Sequence, residues 1–236
     1  MAKKQETKYD IVYILQNGYD SQEIYYSVRS VCANFPYRKI WFYGGKPEGI
    51  TPDVMVEYSQ RGNTKWERVN NTLKAVCEND DITPDFWLFN DDFFVMKKVK
   101  TVEPMIDGTL WARAQKINKT YGGRETKYSA QIRDTARMLG DKGYDRLNYA
   151  LHVPMLINRA KGLLTIEEFP NHPMFRSLYG NHHRIGGVIV DDVKITSEVE
   201  LPTGDETFLS TDDSSFINGR VGQYIREAFP DKCKYE

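Results

Sequence analysis

Pro84-Asp85-Phe86-Trp87-Leu88-Phe89-Asn90-Asp91-Asp92-Phe93-Phe94 is the stretch whose reading decides the fold. Asp85 to Phe89 is apolar and aromatic along nearly its whole length, the composition of a short strand buried on both faces. It runs straight into an amide and two carboxylates. Open α/β sheets bind ligands in the crevice at the carboxyl ends of their strands, so chemistry is expected to gather here. Adjacent carboxylates repel each other and are costly to bury unpaired. A divalent cation resolves the conflict, because hard cations take oxygen ligands and can carry a diphosphate at the same time. Asn and Asp are also common turn residues, and a plain turn is the alternative reading.

Upstream, Tyr9 to Leu15 reads as a first buried strand, broken by turn chemistry at Gln16-Asn17-Gly18-Tyr19-Asp20. A helix is expected from Ser21 as N-cap to about Ala33, with Ile24, Val28 and Val31 on one face. Arg38 to Tyr43 is a second strand ending in Gly44-Gly45, Asp53 to Glu57 a short third, and Lys65 to Cys77 a second helix. Strand, helix, strand, strand, helix, strand means α/β architecture, a mostly parallel, Rossmann-like sheet with covering helices.

Downstream, Lys97 to Asp145 is polar, without a clear strand. Between Arg113 and Lys127 it sets Arg113, Lys116, Lys119, Arg124 and Lys127 against Glu125 alone, with Tyr121 and Tyr128 interleaved. Cations among aromatics suit a phosphate-rich acceptor such as nucleic acid, although a solvated surface has the same composition. After Leu151-His152-Val153-Pro154 a helix is expected to about Leu164, then extended or turning chain from Glu167 to Phe175. Val188 to Asp213 holds eight acidic residues against Lys194, and a closing helix is expected from about Ser214 to Ala228, with Asp212-Asp213 at its start. One domain over 1–236 is expected, in three parts: 1–96 as a Rossmann-like, nucleotide-binding half, 97–150 as a polar, basic helical insertion, and 151–236 as the C-terminal half.

Composition narrows the function classes. A net charge of −1 argues against wholesale electrostatic binding to nucleic acid, and 40% hydrophobic with 13% aromatic residues is enough for a real core. No apolar run is long enough to span a bilayer, and the polar start Met1-Ala2-Lys3-Lys4-Gln5-Glu6 does not read as a signal peptide. Cys32, Cys77 and Cys233 form no CxxC, as expected for reduced thiols in a cytoplasmic protein without structural zinc. Walker A, G-x-G-x-x-G, G-x-S-x-G and HExxH are all absent, which removes most support for P-loop, dehydrogenase and serine-hydrolase chemistry. His152 precedes Val153 and a proline, so its backbone is expected to be extended, and it can act as base, acid or phosphate donor. Arg29 and Arg176 are phosphate clamps or ordinary ion pairs, and at most one of His182 and His183 is expected to be functional.

In this order the pieces resemble the Stealth family of sugar-phosphate transferases. The matching stretches are Asp10-Ile11-Val12-Tyr13, Glu23 to Val31, Phe86 to Phe94, His152-Val153-Pro154, Phe175-Arg176 and Leu209 to Asp213, followed by Phe229-Pro230 and Tyr235-Glu236. The chain departs from that family at Gln16-Asn17-Gly18, where a carboxylate is expected, and at Tyr25, where arginine is common. Its compact form is similar to small bacteriophage glycosyltransferases, some of which decorate hydroxymethylated bases in viral DNA, which implies the cytoplasm of a host cell.

The resemblance implies a nucleotide-sugar-binding core of the GT-A type and a metal-dependent transferase using a nucleotide-diphosphate sugar. Tyr13, Gln16, Asn17, Arg29, Asn90 and Asp91 would bind the donor, and Asp91 and Asp92 would hold Mg²⁺ or Mn²⁺. Asp92, Asp212, Asp213, His152 and Arg176 would carry catalysis. Arg113, Lys116, Lys119, Tyr121, Arg124 and Lys127 would bind the acceptor, a hydroxymethylated base of duplex DNA or otherwise a glycan. A hexose-1-phosphate transferase of surface polysaccharide is the second enzyme reading. A non-catalytic nucleic-acid or glycan-binding module is the reading from another class.

Overall fold

The computed structural model describes residues 8–18 and 21–236. Tyr19 and Asp20 of the expected turn, and the polar start Met1 to Glu6, lie outside the described residues. Ten strands and eight helices follow in the described chain. The central sheet has five strands, β1 (Asp10–Leu15), β2 (Ile40–Gly44), β3 (Val54–Val56), β4 (Asp85–Phe89) and β7 (Met155–Asn158), in the order β3-β2-β1-β4-β7. The first four run parallel; β7 is antiparallel to β4, with Leu88 opposite Met155. This is the mixed α/β fold with a mostly parallel sheet that the strand-helix alternation predicts.

The sheet is apolar on both faces because both are covered. Ile11, Tyr13, Leu15, Phe42 and Phe89 pack with Ile24, Val28 and Val31 of α1 (Glu23–Asn34). On the other face Val12, Trp41, Tyr43, Phe86 and Leu88 pack with Leu73 and Val76 of α2 (Lys65–Glu78), and with Phe175 and Tyr179. Each fully buried large side chain contributes roughly 1.5–3 kcal/mol by leaving water.

The DFWLF strand lies where its composition places it, but β7 is a finding. The segment after His152 enters a four-residue strand before α5 (Arg159–Glu168) begins, so the expected helix starts later and ends later. Met155-Leu156-Ile157-Asn158 is too short for periodicity to separate strand from helix, and its pairing with β4 decides. The 97–150 segment does hold a strand, β6 (Met105–Ile106), paired with β8 (Val188–Ile189). Its helices α3 (Leu110–Thr120) and α4 (Lys127–Asp141) bury Leu110, Ala114, Ile132, Ala136 and Leu139 against Phe169 and Leu178, in a core of their own. After α6 (Phe175–His182), the expected closing helix is two, α7 (Asp213–Ile217) and α8 (Arg220–Ala228). They meet at Gly219 and Gly222; a Cβ on Gly222 would stand 1.8 Å from the Phe216 carbonyl.

A second sheet brings the end of the chain to the carboxylates. Its order is β5-β10-β9, with β5 (Phe93–Val95) antiparallel to β10 (Phe208–Thr211) and β9 (Lys194–Ile195) parallel to it. Ser210 therefore stands between Phe93 on one side and Lys194 on the other. The free edge of β5 is covered by α1: Ser27 Oγ donates to Phe93 O at 2.5 Å, and Ser30 Oγ accepts from Val95 N at 2.9 Å. Two helix serines thus satisfy edge groups that would otherwise be unpaired.

Candidate active site

Because β1 to β4 are parallel, their carboxyl ends share one edge of the sheet, and the antiparallel β7 brings its amino end to that same edge. Asn17, Gly44 with Gly45, Glu57 with Tyr58, Asn90 to Asp92, and His152 are therefore gathered from five separate strand ends. A cleft of about 530 Å³ opens over the ends of β1, β2 and β3, lined by Asn17, Gly44, Gly45, Lys46, Glu57 and Tyr58 among others. That volume suits a nucleotide-sized ligand. Gly44, at φ +104, lets the chain pass where a Cβ would lie 2.2 Å from Leu15 O.

Asn90 to Phe93 does form a turn, with Phe93 N donating to Asn90 O at 3.3 Å. The turn aims its carboxylates into a cluster. Asp92 Oδ2 accepts from Lys194 Nζ at 2.9 Å and from Ser210 Oγ at 3.1 Å, the cross-strand neighbours that β10 and β9 supply. Its Oδ1 is buried without a partner. Glu23, the first residue of α1 and 4% exposed, leans in from the other side, accepting from Thr211 Oγ1. Ser21 lies within hydrogen-bonding reach of both Glu23 and Asp91. Asp212 caps α7 through Ser215 N at 2.9 Å, and Asp213 turns its charge toward Glu23 and Asp91.

These charges are felt in titration. Burial raises the Glu23 carboxyl to about 7; the Thr211 hydrogen bond opposes this, and the charges of Asp92, Asp91 and Asp213 reinforce it. Burial and then the charge of Asp92 raise Asp91 to about 6. Carboxyls raised above their unfolded values hold protons that the unfolded chain has already released, so their contribution to stability is full below about pH 4 and is lost as pH rises through 6 and 7. The melting temperature without metal is therefore expected to fall between pH 5 and pH 8. In Glu23→Gln that slope should be shallower, as a calorimetric pH series would read out; an unchanged slope would contradict the crowding of these groups.

The donor set suits a hard cation: Asp92 keeps one buried oxygen without a partner, and its charge and that of Asp213 are felt by both Asp91 and Glu23. Among the described residues no three His, Cys, Asp or Glu groups are arranged to hold an ion by themselves. Mg²⁺ asks for less, one or two carboxylates with phosphate oxygens and water.

On the β7 side, His152 Nδ1 lies 3.0 Å from each oxygen of Asp192, and its backbone N–H donates to Asp192 Oδ1 at 3.1 Å. Burial would raise Asp192, but hydrogen bonds and charge from His152, with the charge of Arg113, hold it at about 2. An ionised carboxylate only accepts, so Nδ1 carries a proton and Nε2 is left for chemistry. Arg113 completes the chain, bridging Asp192 at 3.1 Å and Asp107 at 3.2 Å. Arg176 reaches in from α6, donating to Val153 O at 2.6 Å and Leu88 O at 3.3 Å, with no carboxylate partner among the described residues. Burial pushes its pKa down to about 10, against the pull of Asp92. Phe93, the residue after Asp92, touches both: the Arg176 guanidinium lies 5.2 Å from its ring and the His152 ring 6.2 Å.

Several sequence expectations need correcting. Tyr13 is wholly buried between Phe42 and Phe89, donating its hydroxyl to Ser27, so it cannot touch a donor. Arg29 is a structural clamp, bidentate to Glu236 at 2.6 and 2.7 Å and bonded to Phe229 O at 3.0 Å. Arg113 is not a free surface cation, because its charge is spent on Asp107 and Asp192. Gln16, Asn17 and Asn90 are exposed at the strand ends, and Lys116, Lys119, Tyr121, Arg124 and Lys127 are exposed on α3, the following turn and the start of α4. His183 bonds Thr165 Oγ1 and Lys161 O, and His182 packs on Tyr144 and Phe169, so both serve the helix packing.

Sequence reasoning missed Glu23, Asp192, Lys194, Lys46 and Tyr58 as site residues. The traces were slight: Lys194 is the lone cation in an acidic run, and Glu23 heads an otherwise apolar helix face in one of the stretches that carry the resemblance. Tyr128, 37% exposed, also comes to the site, close enough to feel the charges of Arg113, Asp192 and Lys194.

No protein family and no curated protein matches the sequence. Solved structures do. The galactosyltransferase LgtC, in complex with donor and acceptor sugar analogs, matches at 13% identity and TM-score 0.41, over 73% of this chain and 70% of that one. An active-site mutant of LgtC matches at 14% identity and TM-score 0.40, over 76% and 71%. The glycosyltransferase GlyE of Streptococcus pneumoniae TIGR4 matches at 11% identity and TM-score 0.33, over 95% of this chain but 50% of that one. Likeness this distant assigns no activity to the chain. No helix of the described residues is long and apolar enough to cross a membrane.

Proposed function

We propose that the protein is a metal-dependent glycosyltransferase with a GT-A-like core, moving a sugar from a nucleotide-diphosphate sugar to a hydroxyl acceptor. One observation carries the reading. A nucleotide-sized cleft, a carboxylate pair with an orphaned oxygen, and a histidine–aspartate pair lie along one sheet edge, in that order from β3 to β7. The base and ribose occupy the cleft between Asn17, Gly44-Gly45 and Tyr58, with Lys46 at its rim. Asp91 and Asp92 would hold Mg²⁺ or Mn²⁺, with the charge of Asp213 close by. Such an ion would screen the diphosphate and stabilise the leaving group. Arg176, buried without a counter-charge, takes a diphosphate oxygen and strengthens that hold as charge develops. His152, oriented through Nδ1 by Asp192, accepts the acceptor hydroxyl's proton at Nε2.

The acceptor is a polyanion such as duplex DNA with hydroxymethylated bases, supported by the exposed Lys116, Lys119, Arg124 and Lys127 next to Tyr121 and Tyr128. Binding to such DNA should weaken steeply with salt. Product mass separates glycosyl transfer from hexose-1-phosphate transfer, since only the latter leaves phosphate in the new linkage.

A thermal-shift screen of nucleotides and nucleotide sugars, with and without Mg²⁺ or Mn²⁺, tests the donor assignment. A ligand at 100 times its Kd adds about 2.7 kcal/mol, which for a chain of this size is a shift of roughly 5–10 °C. The expected result is a shift with one nucleotide sugar that needs the metal. Absence of any shift across uridine, guanosine and cytidine sugars would move the protein to the class of binding modules.

A further inference from the structure

Asp92 already has a cation. Lys194 Nζ lies 2.9 Å from Oδ2, on side chains 23% and 15% exposed respectively, so this contact is largely shielded from water. The pairing is built into the second sheet. Lys194 stands beside Ser210 in the parallel β9–β10 pair, Ser210 stands opposite Phe93 in β10–β5, and Asp92 immediately precedes Phe93. Ser210 Oγ donates to the same Oδ2 at 3.1 Å, leaving that oxygen doubly engaged while Oδ1 has no partner. Lys194 is the only basic residue between Val188 and Asp213, and the charge of its partner Asp92 is felt by both Glu23 and Asp91.

A divalent ion bound to Asp92 would lie within a few ångströms of the Lys194 ammonium. Two cations that close, in a site shielded from water, repel strongly. The repulsion is relieved when a further anion arrives with the metal, and a diphosphate brings more than one negative charge. The Lys194 charge already offsets one of the two adjacent carboxylates, Asp91 and Asp92, and among the described residues no three acidic groups are arranged to close around an ion unaided.

We infer that Lys194 is an internal counter-ion of Asp92 that keeps the site closed to a free divalent cation, so that metal enters together with a nucleoside diphosphate. Lys194 is in this sense a positioning residue: it holds Asp92 in place before substrate arrives and turns to the diphosphate afterwards. The inference rests on the metal-dependent reading above, and its test has a readout separate from turnover.

The measurement is Mn²⁺ binding to the purified protein, followed by loss of the free-ion signal in electron paramagnetic resonance beyond the loss that the diphosphate alone causes without protein. For the unmodified protein, Mn²⁺ alone is expected to bind weakly, and uridine or guanosine diphosphate to tighten it by ~10-fold or more. Lys194→Met should bind Mn²⁺ alone ~10-fold more tightly than the unmodified protein, while Lys194→Arg, which keeps the charge, should behave like it. Where the diphosphate does bind the unmodified protein, equal Mn²⁺ affinity with and without it would overturn the inference, and that comparison needs no variant to fold. Unchanged or weaker Mn²⁺ binding in a folded Lys194→Met would overturn it too. If neither diphosphate binds at all while Lys194→Met still gains Mn²⁺ affinity, the donor assignment falls and the counter-ion role stands.

Discussion

Asp92→Asn is expected to lose turnover by ~10³-fold or more, about 4 kcal/mol of transition-state stabilisation, and with it the metal-dependent thermal shift. The argument is one of charge at nearly constant shape. Asn fills the same space and its oxygen can still accept from Lys194 and Ser210, so the β5–β10–β9 sheet keeps its connection at Asp92. What is lost is the anionic oxygen that has no partner in the protein, together with half the formal charge of the Asp91–Asp92 pair. The cost to folding should stay within about 1–3 kcal/mol, the range for weakening one buried, charge-assisted hydrogen bond. Two measurements together decide it: product formation from the donor found in the screen, and a thermal melt with and without Mn²⁺. A variant that melts normally and still turns over would sink the assignment of Asp92. A variant that fails to fold would show instead that the Lys194 contact is structural.

His152→Gln is expected to reduce turnover ~10²–10⁴-fold, the usual worth of a positioned general base, while leaving donor affinity within about twofold. Glutamine can still bond the Asp192 carboxylate but cannot accept a proton near neutral pH. The split between unchanged nucleotide binding and lost rate is what separates a base from a phosphate contact, because losing a phosphate contact would weaken both. Asp192→Asn should cost less, since the imidazole remains, but an amide no longer imposes the Nδ1–H form. The same change removes the anion that Arg113 bridges to Asp107, so its melting temperature should also fall. Equal loss of donor binding and rate in His152→Gln would return His152 to the diphosphate.

Much of the frame was legible in the chain itself. The DFWLF strand, the two helices with regular apolar faces and the β1–β4 alternation follow from periodicity and from the aromatic content of strands buried on both sides. Asn90-Asp91-Asp92 was legible as a place of charge crowding, because adjacent carboxylates at a strand end call for a turn, a cation or both; the structure gives the turn and leaves one oxygen over. Asp212 as a helix cap was legible for the same local reason. Expectations failed where meaning depended on a distant partner. Arg29 carries the same charge whether it clamps phosphate or Glu236, and Tyr13 carries the same ring whether it faces a nucleotide or Phe42.

The sequence by itself determined the class of fold, the strand that bears the carboxylates, and the residue types able to hold a hard cation, because burial patterns and charge crowding act between near neighbours in the chain. Only the tertiary structure decided who meets whom. β7 had to pair antiparallel with β4 to bring His152 to the carboxylate edge, and β9 and β10 had to stack beside β5 to set Lys194 against Asp92 and Thr211 against Glu23. Those contacts join residues more than a hundred positions apart in the cases of Asp92 and Glu23. Their strength lies in removal from water and in alignment across a sheet, and neither quantity exists until the chain has folded.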